Sequence, residues 1–250
     1  AVTTYTSSIS SQPRGIAFDS SGNLYAITWG TGILYRVAPG GGSVTTIASG
    51  FVSAQGVAVD SSGNVYVCDV NGNVFKNPVG AGAKIPFVTG LGILYNMVVK
   101  GGDLYVTNYS GVKKITNLAG TPILSDYATG AASASGLAFD SSGNLFISTE
   151  GGNLYKVAAN ATIPAAATLI NSGLNSEALT IDASDNLYLS TFGSTIRKLA
   201  PSGTGTATSI ATGLNLTFGL AVDASGNVYV SDNGGNSIVK VTATIVATNQ

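Results

Sequence analysis

A short apolar run, a polar turn and a second apolar run recur along this chain almost from end to end. The first instance runs from Ile16 to Phe18, turns through Asp19-Ser20-Ser21-Gly22-Asn23, and continues as Leu24-Tyr25-Ala26-Ile27. Equivalent segments start at Gly15, Gly56, Asn96, Gly136, Ala178 and Gly219, which stand 41, 40, 40, 42 and 41 residues apart. Asp, Ser, Gly and Asn suit a tight reversal, and alternating apolar runs on either side suit neighbouring antiparallel strands. A Gly/Asn-rich turn then leads to a third strand at residues 33–37, 73–76, 112–115, 153–157, 195–199 and 237–241. A Thr-rich fourth strand closes most units, at residues 44–48, 86–89, 168–171 and 208–211. No segment shows helical periodicity. Four strands in every ~40 residues predict a propeller blade. The expectation is an all-β, six-bladed β-propeller of four-stranded antiparallel blades. It forms one domain over residues 1–250, with repeats starting near residues 12, 52, 91, 131, 174 and 214.

The two ends predict how the ring closes. The sixth unit passes from its third strand, residues 237–241, directly into residues 242–250 without the usual connection to a fourth strand. Val2-Thr3-Thr4, meanwhile, stands 42 residues before Val44-Thr45-Thr46, in register with a fourth strand. Residues 1–10 are therefore expected to supply the outer strand of blade six, which leaves no open edge in the ring.

Composition removes several classes of function. Only 9% of residues are charged, and 11 Lys plus Arg against 12 Asp plus Glu leave no basic stripe for a nucleic acid. With no histidine, the chain cannot build a His-based triad, a His proton shuttle or an imidazole zinc site. A single cysteine, Cys68, allows neither an internal disulfide nor a Cys-cluster metal site, and its position in a strand reads as a half-buried structural thiol. No apolar stretch reaches the roughly 18 residues of a spanning helix, so membrane insertion is not expected. The near-neutral surface and the absence of a basic leader followed by an apolar core suggest a secreted or periplasmic, monomeric protein whose signal peptide has been removed.

The repeat, an apolar-flanked Asp-x-x-Gly-Asn turn that opens on Gly and ends in Tyr-h-[Ser/Thr]-Asp (h apolar), resembles the NHL-repeat propellers over about residues 12–241. It also resembles the wider group that includes SMP-30/gluconolactonase-type lactonases and streptogramin lyase-like proteins. The resemblance implies the six-bladed fold and leaves hydrolase, lyase and binding roles open. The lactonase pattern puts a metal-binding Asn before the repeat glycine, where this chain has Ser135 and Gln55; it also has a Glu-Gly-Pro start that no unit here carries. The lyase-like enzymes use histidines, and this chain has none.

Candidate chemistry lies on the face that bears the loops before each inner strand and after each second strand. The first series is Arg14, Gln55, Tyr95, Ser135, Glu177 and Phe218; the second includes Trp29, Asp69, Asn108 and Asp232. These equivalent positions differ in chemistry while the strands repeat, as a functional loop face would. Arg14 and Glu177 can pair or bracket a polar ligand across the channel mouth, and Glu177 is the candidate catalytic group. Asp69, Glu150, Asp232 and Asn108 offer oxygens to a calcium or other divalent ion, although no spacing specifies a metal. Trp29, Tyr95, Tyr109, Phe192 and Phe218 would suit a glycan or peptide platform. The Asp-x-x-Gly-Asn turns lack the alternating ligands and closing glutamate of a calcium loop and read as Asp-capped turns. Two functions follow. The first, favoured by the missing histidine and the broken metal pattern, is a non-catalytic extracytoplasmic propeller that serves as a binding or structural scaffold for a glycan, peptide or partner protein and needs no cofactor. The second is a metal-dependent lactonase or hydrolase with an ion at the channel mouth.

Overall fold

The computed structural model describes residues 1–78, 83–191 and 193–242. They form six antiparallel sheets arranged around a central channel, with one single-turn 3-10 segment at Pro39–Gly41 as the only helical element among them. The first blade pairs Pro13–Phe18, Leu24–Thr28, Leu34–Val37 and Val44–Ala48 in chain order, inside to outside. The second, fourth and fifth blades repeat that order from Ala54–Val59, Ala134–Phe139 and Ser176–Ile181. Each inner strand packs against the inner strands of both neighbours, and Thr217–Val222 of blade six closes onto Pro13–Phe18.

Closure follows the expectation. Val2–Thr6 is the outer strand of blade six and pairs with Ser237–Val241, with Val2 opposite Val241 and Thr4 opposite Val239. Residues 243–250 lie outside the described residues. Blade three departs from four strands: Leu94–Lys100, Asp103–Asn108, Gly111–Thr116 and Ile123–Thr129 are joined by Ala165–Ala166, which runs parallel to the last of them. These two residues come from the long connection inside blade four, and they cover part of the edge that blade three would otherwise expose.

Burial explains the composition of each strand. Second strands lie between two neighbouring blades, so Val65–Asp69, Leu145–Thr149 and Leu187–Thr191 are buried along their whole length. Outer strands face solvent on one side, and Thr168–Asn171 and Thr208–Ala211 each begin with two exposed residues and turn inward at their ends. Six apolar clusters fill the spaces between adjacent blades, as when Leu24, Tyr35 and Val37 of blade one meet Ala221, Tyr229 and Ile238 of blade six. Each fully buried aliphatic side chain contributes about 1.5–3 kcal/mol, so the stability of the ring resides between blades.

The Asp turns are structural. Asp60 Oδ1 accepts from the Ser62 and Asn64 amides at 3.0 and 2.9 Å, and its Oδ2 accepts from Asn64 Nδ2 at 2.8 Å and the Tyr66 hydroxyl at 3.1 Å. Asp19, Asp182 and Asp223 repeat this set with Tyr25, Tyr188 and Tyr229. The equivalent tyrosines therefore pack between blades and tie off the turn carboxylates. Cys68 is fully buried rather than half-buried, and burial pushes its thiol up to about 12, so it is not a nucleophile.

Candidate functional site

The six side chains that precede the repeat starts, Arg14, Gln55, Tyr95, Ser135, Glu177 and Phe218, line one cavity of about 30 Å³ at the mouth of the channel. A feature invisible in the repeat pattern puts them there. Every inner strand breaks register with its partner across this position, between Pro13 and Ile16, Ala54 and Val57, Leu94 and Met97, Ala134 and Gly136, Ser176 and Ala178, and Thr217 and Leu220. A β-bulge adds one residue and re-aims its side chain, so six bulges give the mouth six side chains. In four of the six blades glycine at the next position lets the strands approach, while blades three and five carry Asn96 and Ala178 there. A Cβ at Gly15 would come within 2.6 Å of the Gln55 carbonyl oxygen, and one at Gly219 would overlap the Arg14 carbonyl oxygen.

Hydroxyls of the preceding blade fix the backbones that carry these side chains. Ser231 Oγ donates to the Arg14 carbonyl at 2.6 Å and accepts from the Gly219 amide at 2.6 Å. Ser190 Oγ likewise donates to the Phe218 carbonyl at 2.8 Å. Arg14 and Phe218 are thereby held in contact: the guanidinium lies 3.9 Å from the Phe218 ring centroid and 4.4 Å from that of Trp29. Arg14 Nη1 donates to Gln55 Oε1 at 2.8 Å. Two rings and an amide thus orient the cation, as cation–π and charge-assisted contacts do. Trp29 and Phe218 accordingly spend ring surface on Arg14 instead of offering a free stacking platform.

The electrostatics centre on Glu177, which is 7% exposed. Burial, then the charge of Glu150, pushes its carboxyl from 4.5 up to about 7, and Arg14 pulls it the other way. Arg14 is itself lowered by burial, a shift that Glu177 and Tyr95 oppose. Tyr95 is raised by burial, by its hydrogen bond to Glu150 and by that residue's charge, with smaller effects from Glu177 and Tyr109. Arg14 and Glu177 do not form an ion pair; among the described residues those pairs are Lys113–Asp126, Lys114–Asp103 and Lys240–Asp223. Instead, Arg14 Nε and Glu177 Oε1 are both buried without a hydrogen-bond partner. Buried polar atoms are seldom left so.

The second series does other work. Asp69 is 2% exposed, and its carboxylate accepts from the Asn71 and Asn73 amides and the Asn73 side chain. Asn108 Oδ1 accepts from the amide and hydroxyl of Ser110, and Asp232 Oδ1 accepts from the Asn215 amide at 2.7 Å. These three are loop caps. Ser135 Oγ donates to the Ser148 and Ser176 carbonyls, both at 3.3 Å. Glu150 is half-buried and bonds Tyr95. Phe192 lies outside the described residues. Val52, Ile93 and Leu216, which precede inner strands on the same loop face, are exposed aliphatic residues that the repeat does not single out. Their only signal was an aliphatic letter among Gly, Ser and Asn.

The mouth does not fit a divalent ion. Among the described residues no three His, Cys, Asp or Glu side chains are grouped to hold one. Gln55 Oε1 is committed to Arg14, Asn96 Oδ1 accepts from the Met97 amide, and a guanidinium shares the cavity. Calcium wants six to eight oxygens.

Residues 51–73 match the NHL repeat model. No curated protein matches the sequence. Among solved structures, the chain is similar to a gluconolactonase from Xanthomonas campestris, with TM-score 0.76 and 14% identity over 96% of this chain and 88% of that one. It is similar to a PQQ-bound aldose sugar dehydrogenase from Streptomyces coelicolor, with TM-score 0.71 and 14% identity over 96% and 97% of the two chains. It is also similar to a streptogramin B lyase, with TM-score 0.66 and 13% identity over 96% of each. Identities this low speak for the fold alone. Residues 51–73 thus carry an NHL repeat, and the ring as a whole is a six-bladed β-propeller, the fold these structures share.

Proposed function

We propose that the protein is a small-molecule hydrolase that opens lactone rings at the channel mouth, with Glu177 as general base and Arg14 as the partner of the developing oxyanion. The observation that carries this reading is the pair of buried, unpartnered atoms, Glu177 Oε1 and Arg14 Nε, on one small cavity. A carboxyl poised at about 7 suits proton transfer near neutral pH. An oriented, always-charged guanidinium suits a carbonyl oxygen that gains charge. The likeness in fold to a gluconolactonase supports lactones as the substrate class.

The substrate carbonyl oxygen sits against the free edge of Arg14, and a water sits against Glu177. Glu177 takes a proton from the water as its oxygen bonds to the carbonyl carbon. Arg14 stabilises the resulting oxyanion. As the carbonyl re-forms, the ring C–O bond breaks, and Glu177 returns the proton to the departing alkoxide. The product is a hydroxy acid whose carboxylate pairs with Arg14. No step needs a metal, because Arg14 occupies the role a Lewis acid would otherwise fill.

A panel of γ- and δ-lactones and aryl esters, followed by acid release in the presence of a chelator, tests the reading. Turnover should rise with pH through about 7 and fall about 100-fold or more in Glu177→Gln and Arg14→Gln. Turnover that the chelator abolishes and a divalent ion restores would overturn the metal-free mechanism. A silent panel would point to glycan, peptide or partner-protein binding without catalysis.

A further inference from the structure

We propose that Val52, Ile93 and Tyr109, with Leu216 across the mouth, carry an alkyl substituent of the substrate, so that the lactone opened here is alkyl-substituted rather than polyhydroxylated. This inference rests on the lactonase reading for its reacting group and on separate observations for its substituent.

The first is size. The mouth cavity is about 30 Å³, and a single water needs ~10–15 Å³. It admits a carbonyl and an attacking water. Whatever else the substrate bears must lie outside, on the surrounding loops.

The second is the chemistry of those loops. Val52 is 65% exposed, Ile93 40%, Tyr109 56% and Leu216 49%. The loops that carry them, residues 49–53, 90–93, 109–110 and 212–216, contain no Asp, Glu, Lys or Arg. Val52 and Ile93 precede the inner strands of blades two and three, and Tyr109 follows the second strand of blade three. The Tyr109 phenol acts electrostatically on that of Tyr95, which lines the mouth.

The third is backbone conformation. Leu216 has φ 56°, a left-handed conformation held in the equivalent place by Gln12, Ser53, Ser133 and Asn175. Such positions favour Asn and Gly over leucine. An exposed leucine kept there, two residues before Phe218, presents an aliphatic side chain where blades one, two, four and five present a polar one and blade three presents Ile93.

The test uses the whole chain and a series of γ-lactones from the unsubstituted ring to one with a six-carbon alkyl chain, with a sugar δ-lactone for comparison. Hydrolysis is followed as acid release. Binding is followed separately by the fluorescence of Trp29, the one tryptophan of the chain, which stacks on Arg14. Both kcat/KM and affinity should rise about two- to fourfold per methylene, and the sugar lactone should be the poorest member. The triple variant Val52→Ser, Ile93→Ser, Leu216→Ser should flatten that slope. Turnover without dependence on chain length would overturn the alkyl inference and leave the lactonase reading standing. Affinity that rises with chain length without turnover would support the apolar rim and overturn the lactonase reading. A slope that survives in the triple variant would overturn the placement on these residues, and neither binding nor turnover would overturn both.

Discussion

Replacing Glu177 by Gln should stabilise the protein at alkaline pH, by an amount that follows from the environment of the carboxyl. Its proton affinity corresponds to 4.5 in the unfolded chain and to about 7 in the folded one, raised first by burial and then by Glu150. The folded state binds this proton more tightly. The stability that Glu177 contributes is therefore complete below about pH 4.5 and is lost as the pH rises through about 7. Each tenfold change in proton affinity is worth about 1.4 kcal/mol, so the loss approaches about 3 kcal/mol once the group is ionised.

A glutamine does not titrate. Between pH 4.5 and pH 8.5 the stability difference between Glu177→Gln and the parent should shift by about 3 kcal/mol in favour of the variant. In a chain of this length that corresponds to ~6–12 °C in Tm. Urea midpoints and thermal melts of both proteins at the two pH values give the measurement. Packing costs of the amide are the same at either pH, and titrating groups remote from Glu177 occur in both proteins, so both cancel in the comparison. A difference that does not change with pH would show that the folded carboxyl is not perturbed, and the general-base assignment would go with it. The expected pattern, a variant more stable yet inactive, is the usual trade between stability and a strained functional group.

Glu150→Gln removes the charge that helps to raise Glu177; the acidic limb of the kcat/KM profile should move to lower pH, and an unmoved limb would separate the two residues. Deleting residues 1–10 removes the strand Val2–Thr6 and the buried Ile9 and bares the edge of Ser237–Val241. The expected result is a loss of several kcal/mol or self-association through that edge, and an unchanged Tm with monomeric elution would overturn the closure argument. Gly219→Ala drives a methyl into the Arg14 carbonyl, which is backbone and cannot step aside. It should cost on the order of 2–3 kcal/mol in urea unfolding, and a cost near zero would mean that the inner strands have room to spread.

Strand order was legible because each layer of a blade has its own solvent contact. The fully buried Val65–Asp69 reads as a nearly continuous apolar run, Thr208–Ala211 as a mixed one that opens on exposed Thr and Ser, and the Asp-Gly-Asn turns mark the reversals inside each blade. The fifth strand of blade three was not legible, since Ala165–Ala166 owes its pairing to where a loop lands rather than to its own residues. The mouth residues could be named from their divergence, but their convergence depends on six bulges that leave no mark in the repeat. Asp69 and Asp232 resemble rim ligands in the sequence because an aspartate that caps a loop is the same letter as one that binds an ion. Only the hydrogen bonds from Asn71, Asn73 and Asn215 distinguish them.

The ring itself explains why activity should reside at so small a place. Near-sixfold repetition brings six equivalent backbone positions together at one point, and with identical residues there the mouth would hold six copies of one side chain crowded on the axis. Like charges would repel and six tyrosines would not fit. The fold therefore tolerates at most a few large or charged groups at this layer, offset by small or neutral ones. Arg14, Tyr95, Glu177 and Phe218 are set against Gln55 and Ser135 in this way. That asymmetry also accounts for the buried charges. Once Phe218 and Trp29 cover the faces of Arg14 and Gln55 takes one edge, the remaining edge and the Glu177 carboxyl are left to meet across a gap too wide for an ion pair. Two opposite charges kept apart in a buried cavity are poorly stabilised by each other and well placed to stabilise a polar molecule between them.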